Sequence, residues 1–290
     1  MIYNSGPHTI RQTLGVAVSF LSENEIDTAK NDAYVLLEHI LNMDRIQLML
    51  HMSEEIKKDK LQEYFKVLEL RAQGYPLQYL VGRQEFMSLD FKVTPDVLIP
   101  RPETELLVET AIALAEQYPY PPKVVDVCTG SGCIIISICY YFKEGVYLAS
   151  DISPYALEVA RENALRHEMQ DKIGFLEADL LDNPAFSSSD IIVSNPPYIA
   201  TNEIAGLQRE ILGHEPHLAL DGGPDGLDIY RKLIAQAYAR LNQNGWLLVE
   251  IGWDQGNAVA ELFLARGFNN IDIIKDYPGK DRIVKGQKGI

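Results

Sequence analysis

Asn195-Pro196-Pro197-Tyr198 follows the apolar run Ile191-Ile192-Val193-Ser194 and gathers groups that can hold a planar nitrogen. The two prolines remove backbone donors, fix φ, and disfavour the α conformation in the residue before each of them. The stretch is therefore expected to be a stiff turn at a strand end. It presents the Asn195 side-chain oxygen, the Pro196 carbonyl and the Tyr198 ring, with Pro197 keeping the turn rigid. Two oxygens can accept both hydrogens of an amide NH2 or an adenine amino group while the ring packs on its face. Asn195, Pro196, Pro197 and Tyr198 are thus candidate substrate-binding residues, and Asn195, Pro196 and Tyr198 candidate catalytic ones. Taken alone, the four residues equally describe a rigid turn after a strand.

A second constellation precedes it. Val124-Val125-Asp126-Val127 reads as a strand, and Cys128-Thr129-Gly130-Ser131-Gly132 as the glycine turn into a helix. Gly130 and Gly132 allow close approach of a ligand to the backbone and relieve steric limits in the turn. The turn is neither a full GxGxxG nor a P-loop, which requires GK[ST]. Asp151 ends the next strand about 20 residues on, where a carboxylate can take both hydroxyls of a ribose. Asp179 ends the third strand, placed for an adenine amino group, with Leu180 against the ring. Gly, Asp and Asp at three consecutive strand ends describe a nucleoside pocket without a pyrophosphate cradle, the way a class I methyltransferase holds S-adenosyl-L-methionine. NAD binding, or merely solvated strand caps, are the competing readings. The candidate cofactor residues are Cys128, Thr129, Gly130, Ser131, Gly132, Asp151, Asp179 and Leu180. Asn195 joins them because the fourth strand end sets the acceptor notch beside the methyl donor.

The elements that must position these residues alternate from Lys123 onward. Strands are expected at 124–127, 146–150, 173–177, 191–194, 246–251, 271–274 and 282–285, and helices near 132–141, 155–167, 227–241 and 255–266. Such alternation predicts an α/β fold with a Rossmann-like doubly wound sheet and ligands at the carboxyl ends of its strands. The last two strands, joined by a short turn, are expected as an antiparallel edge pair. Residues 7–73 carry apolar positions at helical spacing in three stretches, the third from Ser53, and predict a small helical bundle. Residues 84–93 alternate as a β-hairpin should. The expected organisation is an N-terminal helical substrate-recognition domain at 1–76, a β-hairpin linker at 77–103 and a methyltransferase domain at 104–290. Arg101, between two prolines and beside Glu103 and Glu105, is either a site-lining residue or a linker charge.

Composition sets bounds on function. The chain has 290 residues, 47% hydrophobic and 23% charged, as in a soluble globular protein. Its net charge of −15 makes it a poor general binder of polyanions, so no direct nucleic-acid partner is expected. No run reaches the roughly 18 apolar residues of a membrane span. The start, Met1-Ile2-Tyr3-Asn4-Ser5, lacks a leader's basic region, so the expectation is a cytoplasmic protein without a membrane partner. Cys128, Cys133 and Cys139 lack CxxC spacing and read as reduced thiols. His214-Glu215-Pro216-His217 lacks further nearby ligands for zinc, and no metal is expected.

Over nearly its whole length the chain resembles the bacterial HemK/PrmC-type peptide-chain release factor glutamine methyltransferases. The resemblance rests on Gln78-Tyr79-Leu80-Val81-Gly82, residues 99–105, 126–132 and 195–198, the run from Glu215 to Gly226, and Tyr277-Pro278-Gly279-Lys280-Asp281-Arg282. The acceptor notch alone is also similar to that of N6-adenine methyltransferases. The segments around Arg101 and from Glu215 to Gly223 are more specific. The resemblance implies methyl transfer from S-adenosyl-L-methionine to the side-chain amide of the glutamine in the Gly-Gly-Gln loop of class 1 release factors. It implies donor contacts from 128–132, Asp151 and Leu180, with residues 195–198 meeting the glutamine. Methylation of adenine in nucleic acid, glutamine methylation of a ribosomal protein, and a non-enzymatic binding module are the alternatives. Three departures are visible: Cys128 stands where many members have glycine, Ser88 replaces a common hairpin glycine, and Leu180 stands where some carry tryptophan.

Overall fold

Apolar residues three and four apart bury one face of each of the longer helices in the N-terminal part of the computed structural model, which describes residues 8–289. Residues 1–7, where the expected helical segment begins and where no leader is expected, and residue 290 lie outside the described residues. The helices are α1 (Ile10–Glu23), α2 (Ala29–Leu41), α3 (Arg45–Leu50), α4 (Lys58–Ala72) and α5 (Leu77–Val81). Reciprocal capping boxes start two of them, Thr9 with Gln12 at α1 and Asp44 with Gln47 at α3. Leu14, Leu21, Leu36, Leu37, Tyr64 and Leu68 form the centre of their shared core. Buried Arg71 donates to Asp32 at 2.7 Å, so neither charge is left unpaired inside it. The third expected stretch starts later than its apolar spacing indicates. Helix α4 begins at Lys58, because the backbone of 52–56 pairs with that of 8–11 (Ile10 N to Glu54 O and Ile56 N to His8 O, both 3.0 Å). Ile56 still reaches the core, but from an extended segment.

The second unit opens with the hairpin β1 (Arg83–Phe86) and β2 (Leu89–Lys92), whose turn residues Met87 and Ser88 have φ of 51° and 57°. Positive φ at both central positions is the turn that matches the twist of a two-residue hairpin. In chain order there follow α6 (Glu105–Ala115), β3 (Lys123–Val127), α7 (Cys133–Tyr141), β4 (Val146–Asp151), α8 (Pro154–Arg166), β5 (Ile173–Glu177) and β6 (Ser189–Ser194). The short α9 (Arg209–His214) belongs by its contacts to the first unit. Then come α10 (Asp228–Arg240), β7 (Leu241–Glu250), α11 (Gly256–Arg266), β8 (Phe268–Lys275) and β9 (Asp281–Lys288).

Seven strands form one sheet in the order β5-β4-β3-β6-β7-β9-β8. The first five are parallel, and β9 runs antiparallel between β7 and β8. Successive residues of a strand face opposite sides, and here both sides are covered. Val124, Ile191 and Val193 join the core under α6 and α7, whereas Val125, Val127 and Ile192 join that under α10 and α11. The strand order reverses at β3, which lies between β4 and β6. The carboxyl ends of β3 and β6 therefore flank the crevice where such sheets bind ligands.

Candidate active site

The turn after β3 is built for close approach and held from several sides. Cys128 adopts φ 60°, Gly130 φ 55° and Gly132 φ 80°. Thr129 N donates to Ser150 O at 3.0 Å, and the Thr129 hydroxyl donates to Asp126 Oδ2 at 2.6 Å. Asp151, the last residue of β4, accepts Gly130 N on one oxygen and Ser153 N on the other, each at 2.9 Å. Its carboxylate is thereby aimed while each oxygen retains a lone pair for a ligand. Burial pushes its pKa up, against these backbone donors. The Ser153 hydroxyl caps α8 by accepting Ala156 N, and Pro154 occupies the first helical turn. Fully buried Asn163 donates to Ser131 O at 2.9 Å and to Lys92 O at 3.0 Å, so α8 ties the glycine turn to the hairpin.

Cys128, Thr129, Gly130, Ser131, Asp151, Asp179, Leu180, Asn195 and Pro197 line one cavity, together with Arg101 and Thr104. Gly132, Pro196 and Tyr198 are not among its lining residues. A Cβ on Gly132 would lie 2.9 Å from Ile136 Cδ1 and 3.1 Å from Ala160 Cβ, so this glycine lets α7 and α8 pack. At Gly130 a Cβ would meet nothing within 4 Å, and there the missing side chain opens the cavity. Cys128, Leu180 and Ser88, the three departures noted above, all have left-handed backbone, with φ of 60°, 56° and 57°. Each non-glycine residue in that region costs roughly 1–2 kcal/mol. Two of them stand on the cavity wall.

The notch after β6 is backed by the segment from Glu215 to Gly226. Ile199 N donates to Leu220 O at 3.0 Å and Gly222 N to Ile199 O at 2.8 Å. A Cβ on Gly222 would lie 2.8 Å from Tyr198 Cα, so only glycine lets the two backbones meet. Gln255 Nε2 donates to Tyr198 O at 2.9 Å and also reaches Gly226 O. These contacts hold the Tyr198 ring partly within the core beneath α10. Glu215 is buried and forms an ion pair with Arg101, which faces the cavity; it also accepts Ile99 N. The two motifs on either side of the chain are thus joined by one buried carboxylate.

Two buried acids near the site gave no sequence signal. Asp126 is fully buried, and burial pushes its pKa up to about 7 against the Thr129 hydrogen bond. Its Oδ1 has no hydrogen-bond partner among the described residues. Glu250, at the end of β7, is 2% exposed, and burial likewise pushes it to about 7 against a hydrogen bond from Thr104. Asn195 Nδ2 in turn donates to Thr104 Oγ1 at 3.3 Å. Burial and the neighbouring carboxylates Asp151 and Asp126 push the Cys128 thiol up, so it stays neutral.

Among the described residues no helix is long and apolar enough to cross a membrane. Residues 12–82 match the PrmC N-terminal domain, and residues 102–224 match the methyltransferase small domain. The release factor glutamine methyltransferase of Moorella thermoacetica is 43% identical over 278 residues, 94% of this chain and 96% of that one. That of Clostridium acetobutylicum is 39% identical over 282 residues, 97% and 99% of the two chains. Among solved structures, the hMettl16 catalytic domain in complex with MAT2A 3'UTR hairpin 1 has a TM-score of 0.56 at 14% identity, covering 93% of this chain and 90% of that one. This last likeness is one of fold alone, a class I methyltransferase sheet. Identity at this level along nearly the full length decides the matter: the chain belongs to the release factor glutamine methyltransferase family.

Proposed function

We propose that this protein transfers a methyl group from S-adenosyl-L-methionine to the side-chain amide nitrogen of the glutamine in the Gly-Gly-Gln motif of a class 1 peptide chain release factor, and so modulates translation termination. The observation that carries the reading is the shared cavity of Asn195, the glycine turn and Asp151, in which Asn195 Nδ2 is already engaged by Thr104. Its oxygen is then the group left to accept an N–H from a substrate amide.

The cavity residues fit the donor. Gly130 leaves open space where any other residue would project a Cβ, and Asp151 offers aimed acceptors for ribose hydroxyls. Leu180 gives an apolar surface for the base and Asp179 a rim acceptor for its amino group. When bound, S-adenosyl-L-methionine supplies an electrophilic methyl group on a sulfonium. An amide nitrogen is a weak nucleophile because its lone pair is delocalised into the carbonyl. Asn195 Oδ1 and the Pro196 carbonyl accept its two N–H bonds, orient the lone pair, and stabilise the positive charge that develops on nitrogen. Pro197 keeps this turn rigid and Tyr198 covers the amide plane. The proton becomes acidic once nitrogen is alkylated and leaves to water, so no side chain has to remove it beforehand.

The helical unit recognises the release factor, because it contributes no residue to the cavity. The acidic net charge favours a protein acceptor over a polyanion, and translation places the reaction in the cytoplasm. The test is transfer of tritiated methyl to release factor, ribosomes, DNA and RNA as separate acceptors, with a chain lacking residues 1–82 as a further arm. Label in the release factor alone, lost with the truncation while donor binding persists, is the expected result. Label in nucleic acid or ribosomes with none in the release factor overturns the reading.

A further inference from the structure

We propose that Arg101, held in place by Glu215, binds the carboxylate of the methyl donor's amino-acid portion. The proposal rests on the function given above and gives a task to the cation of the cavity wall. Among the described residues lining the cavity, Asp96, Asp151, Asp179 and Asp221 are anionic and Arg101 alone is cationic. S-Adenosyl-L-methionine carries two cationic centres, its sulfonium and its ammonium, and one anion, its carboxylate. The glutamine side chain that meets it is neutral. The acidic wall suits the two cationic centres, and the anion has a single charged partner there, the Arg101 guanidinium.

The guanidinium is held ready for this contact. Pro100 and Pro102 flank Arg101, and the second disfavours α conformation in the residue before it. Arg101 is accordingly extended, with φ −105° and ψ 141°. The Glu215 side chain is only 2% exposed; one oxygen pairs with Arg101 Nη2 and the other accepts Ile99 N at 3.4 Å. A carboxylate this deep is costly to leave unpaired, so the guanidinium stays against it. A guanidinium has five N–H donors, and Glu215 takes one of them. The others make no further hydrogen bond among the described residues. Buried Arg71 differs: it pairs with Asp32 and spends Nη1 on Tyr75 O and Glu210. Arg101 therefore keeps an open edge of its fork toward the cavity, the geometry that takes a second carboxylate through two parallel N–H bonds.

Its place in the wall suits the same task. Arg101 O accepts Thr104 N at 3.1 Å, and Thr104 Oγ1 accepts Asn195 Nδ2 at 3.3 Å, so the anchor lies one turn from the notch. Asp151 ends β4 and Asp179 follows β5, on the other side of β3 and its glycine turn from β6. A donor held by its ribose at Asp151 and by its carboxylate at Arg101 is fixed at both ends, with its sulfonium between them. Loss of the anchor frees the amino-acid tail and leaves the nucleoside bound.

The test is calorimetric titration with two ligands, S-adenosyl-L-methionine and its decarboxylated form, which keeps the nucleoside, the sulfonium and the ammonium. Wild-type protein should bind the first about 10- to 100-fold more tightly, the scale of a charge-assisted contact. Arg101→Ala should bind S-adenosyl-L-methionine about 10- to 100-fold more weakly than wild type, and the decarboxylated ligand no more than about threefold more weakly. Arg101→Lys, which keeps the charge and loses the fork, should fall between. Glu215→Gln should cut the preference for the carboxylate about 3- to 10-fold while its affinity for the decarboxylated ligand, a check on the folded pocket, stays within about threefold. Wild-type protein without the preference, or an Arg101→Ala protein that weakens both ligands alike or neither, overturns the anchor. Equal weakening of both ligands in Glu215→Gln overturns its positioning role. No acceptor is present in these titrations, so each of these failures leaves the glutamine assignment standing.

Discussion

Replacing Asp151 by asparagine is nearly isosteric, and the geometry makes it as damaging as alanine. Each carboxylate oxygen accepts one backbone N–H, from Gly130 and Ser153, at 2.9 Å. An asparagine has one oxygen and one NH2, so in either orientation one of these N–H groups faces a donor. The turn loses a hydrogen bond to a charged group, worth about 1.5–3 kcal/mol, and the ribose loses its charged acceptors. At about 1.4 kcal/mol per decade this corresponds to a donor affinity lower by roughly one to two decades. Asp151→Ala removes the same acceptors but lets water reach both N–H groups. Calorimetric titration with S-adenosyl-L-methionine is the assay, with amide hydrogen exchange at Gly130 and Ser153 as a check on the turn. Both variants should bind 10- to 100-fold more weakly than wild type, and Asp151→Asn no better than Asp151→Ala. An asparagine variant binding within about threefold of wild type would refute the reasoning, because the charge would then be dispensable.

Gly130→Ala and Gly132→Ala should separate ligand space from packing. The first meets no protein atom at Cβ and should cost only about 1–2 kcal/mol of stability while donor affinity falls at least about tenfold. The second meets Ile136 and Ala160 and should lose about 2–4 kcal/mol in urea unfolding. Gly222→Ala would press on the Tyr198 backbone and displace the notch, so kcat should drop about 10- to 100-fold with donor Kd unchanged; equal rates would remove the backing role assigned to this glycine. Asp126 and Glu250 both have folded pKa values raised above those of the unfolded chain. Between the unfolded and folded values the folded state holds the extra protons, so stability falls as pH rises from about 4 to about 7. Asp126→Asn should therefore be more stable than wild type at pH 8, by about 1–3 kcal/mol, with the difference shrinking toward pH 4. A pH-independent difference in chemical denaturation would contradict the assignment.

The parts of the site legible in the chain are those with a local physical signal. Two prolines after a buried strand mark the notch, the glycines mark the turn after β3, and Asp151 follows at ribose-binding distance in sequence. Thr104, Asn163 and Glu250 carry no such signal. Thr104 meets Asn195 from 91 residues away, and Asn163 meets Lys92 from 71, so only the fold brings them together. The left-handed conformations of Cys128 and Leu180 are equally silent, because neither residue prefers them. Gly222 is visible as a glycine, but its reason, the Tyr198 backbone at its absent Cβ, is tertiary. Helix α3, six residues long, is too short for its periodicity to stand out.

The central claim is that the notch at Asn195 serves a glutamine amide. It is tested most directly by single-turnover transfer to two release factors differing at one atom group, one with Gly-Gly-Gln and one with that glutamine changed to glutamate. Peptide mass spectrometry then locates the added methyl. The account predicts one methyl on the glutamine nitrogen of the first protein and none on the second. Methylation of the glutamate form, or an unmodified glutamine beside methylated nucleic acid, would contradict it.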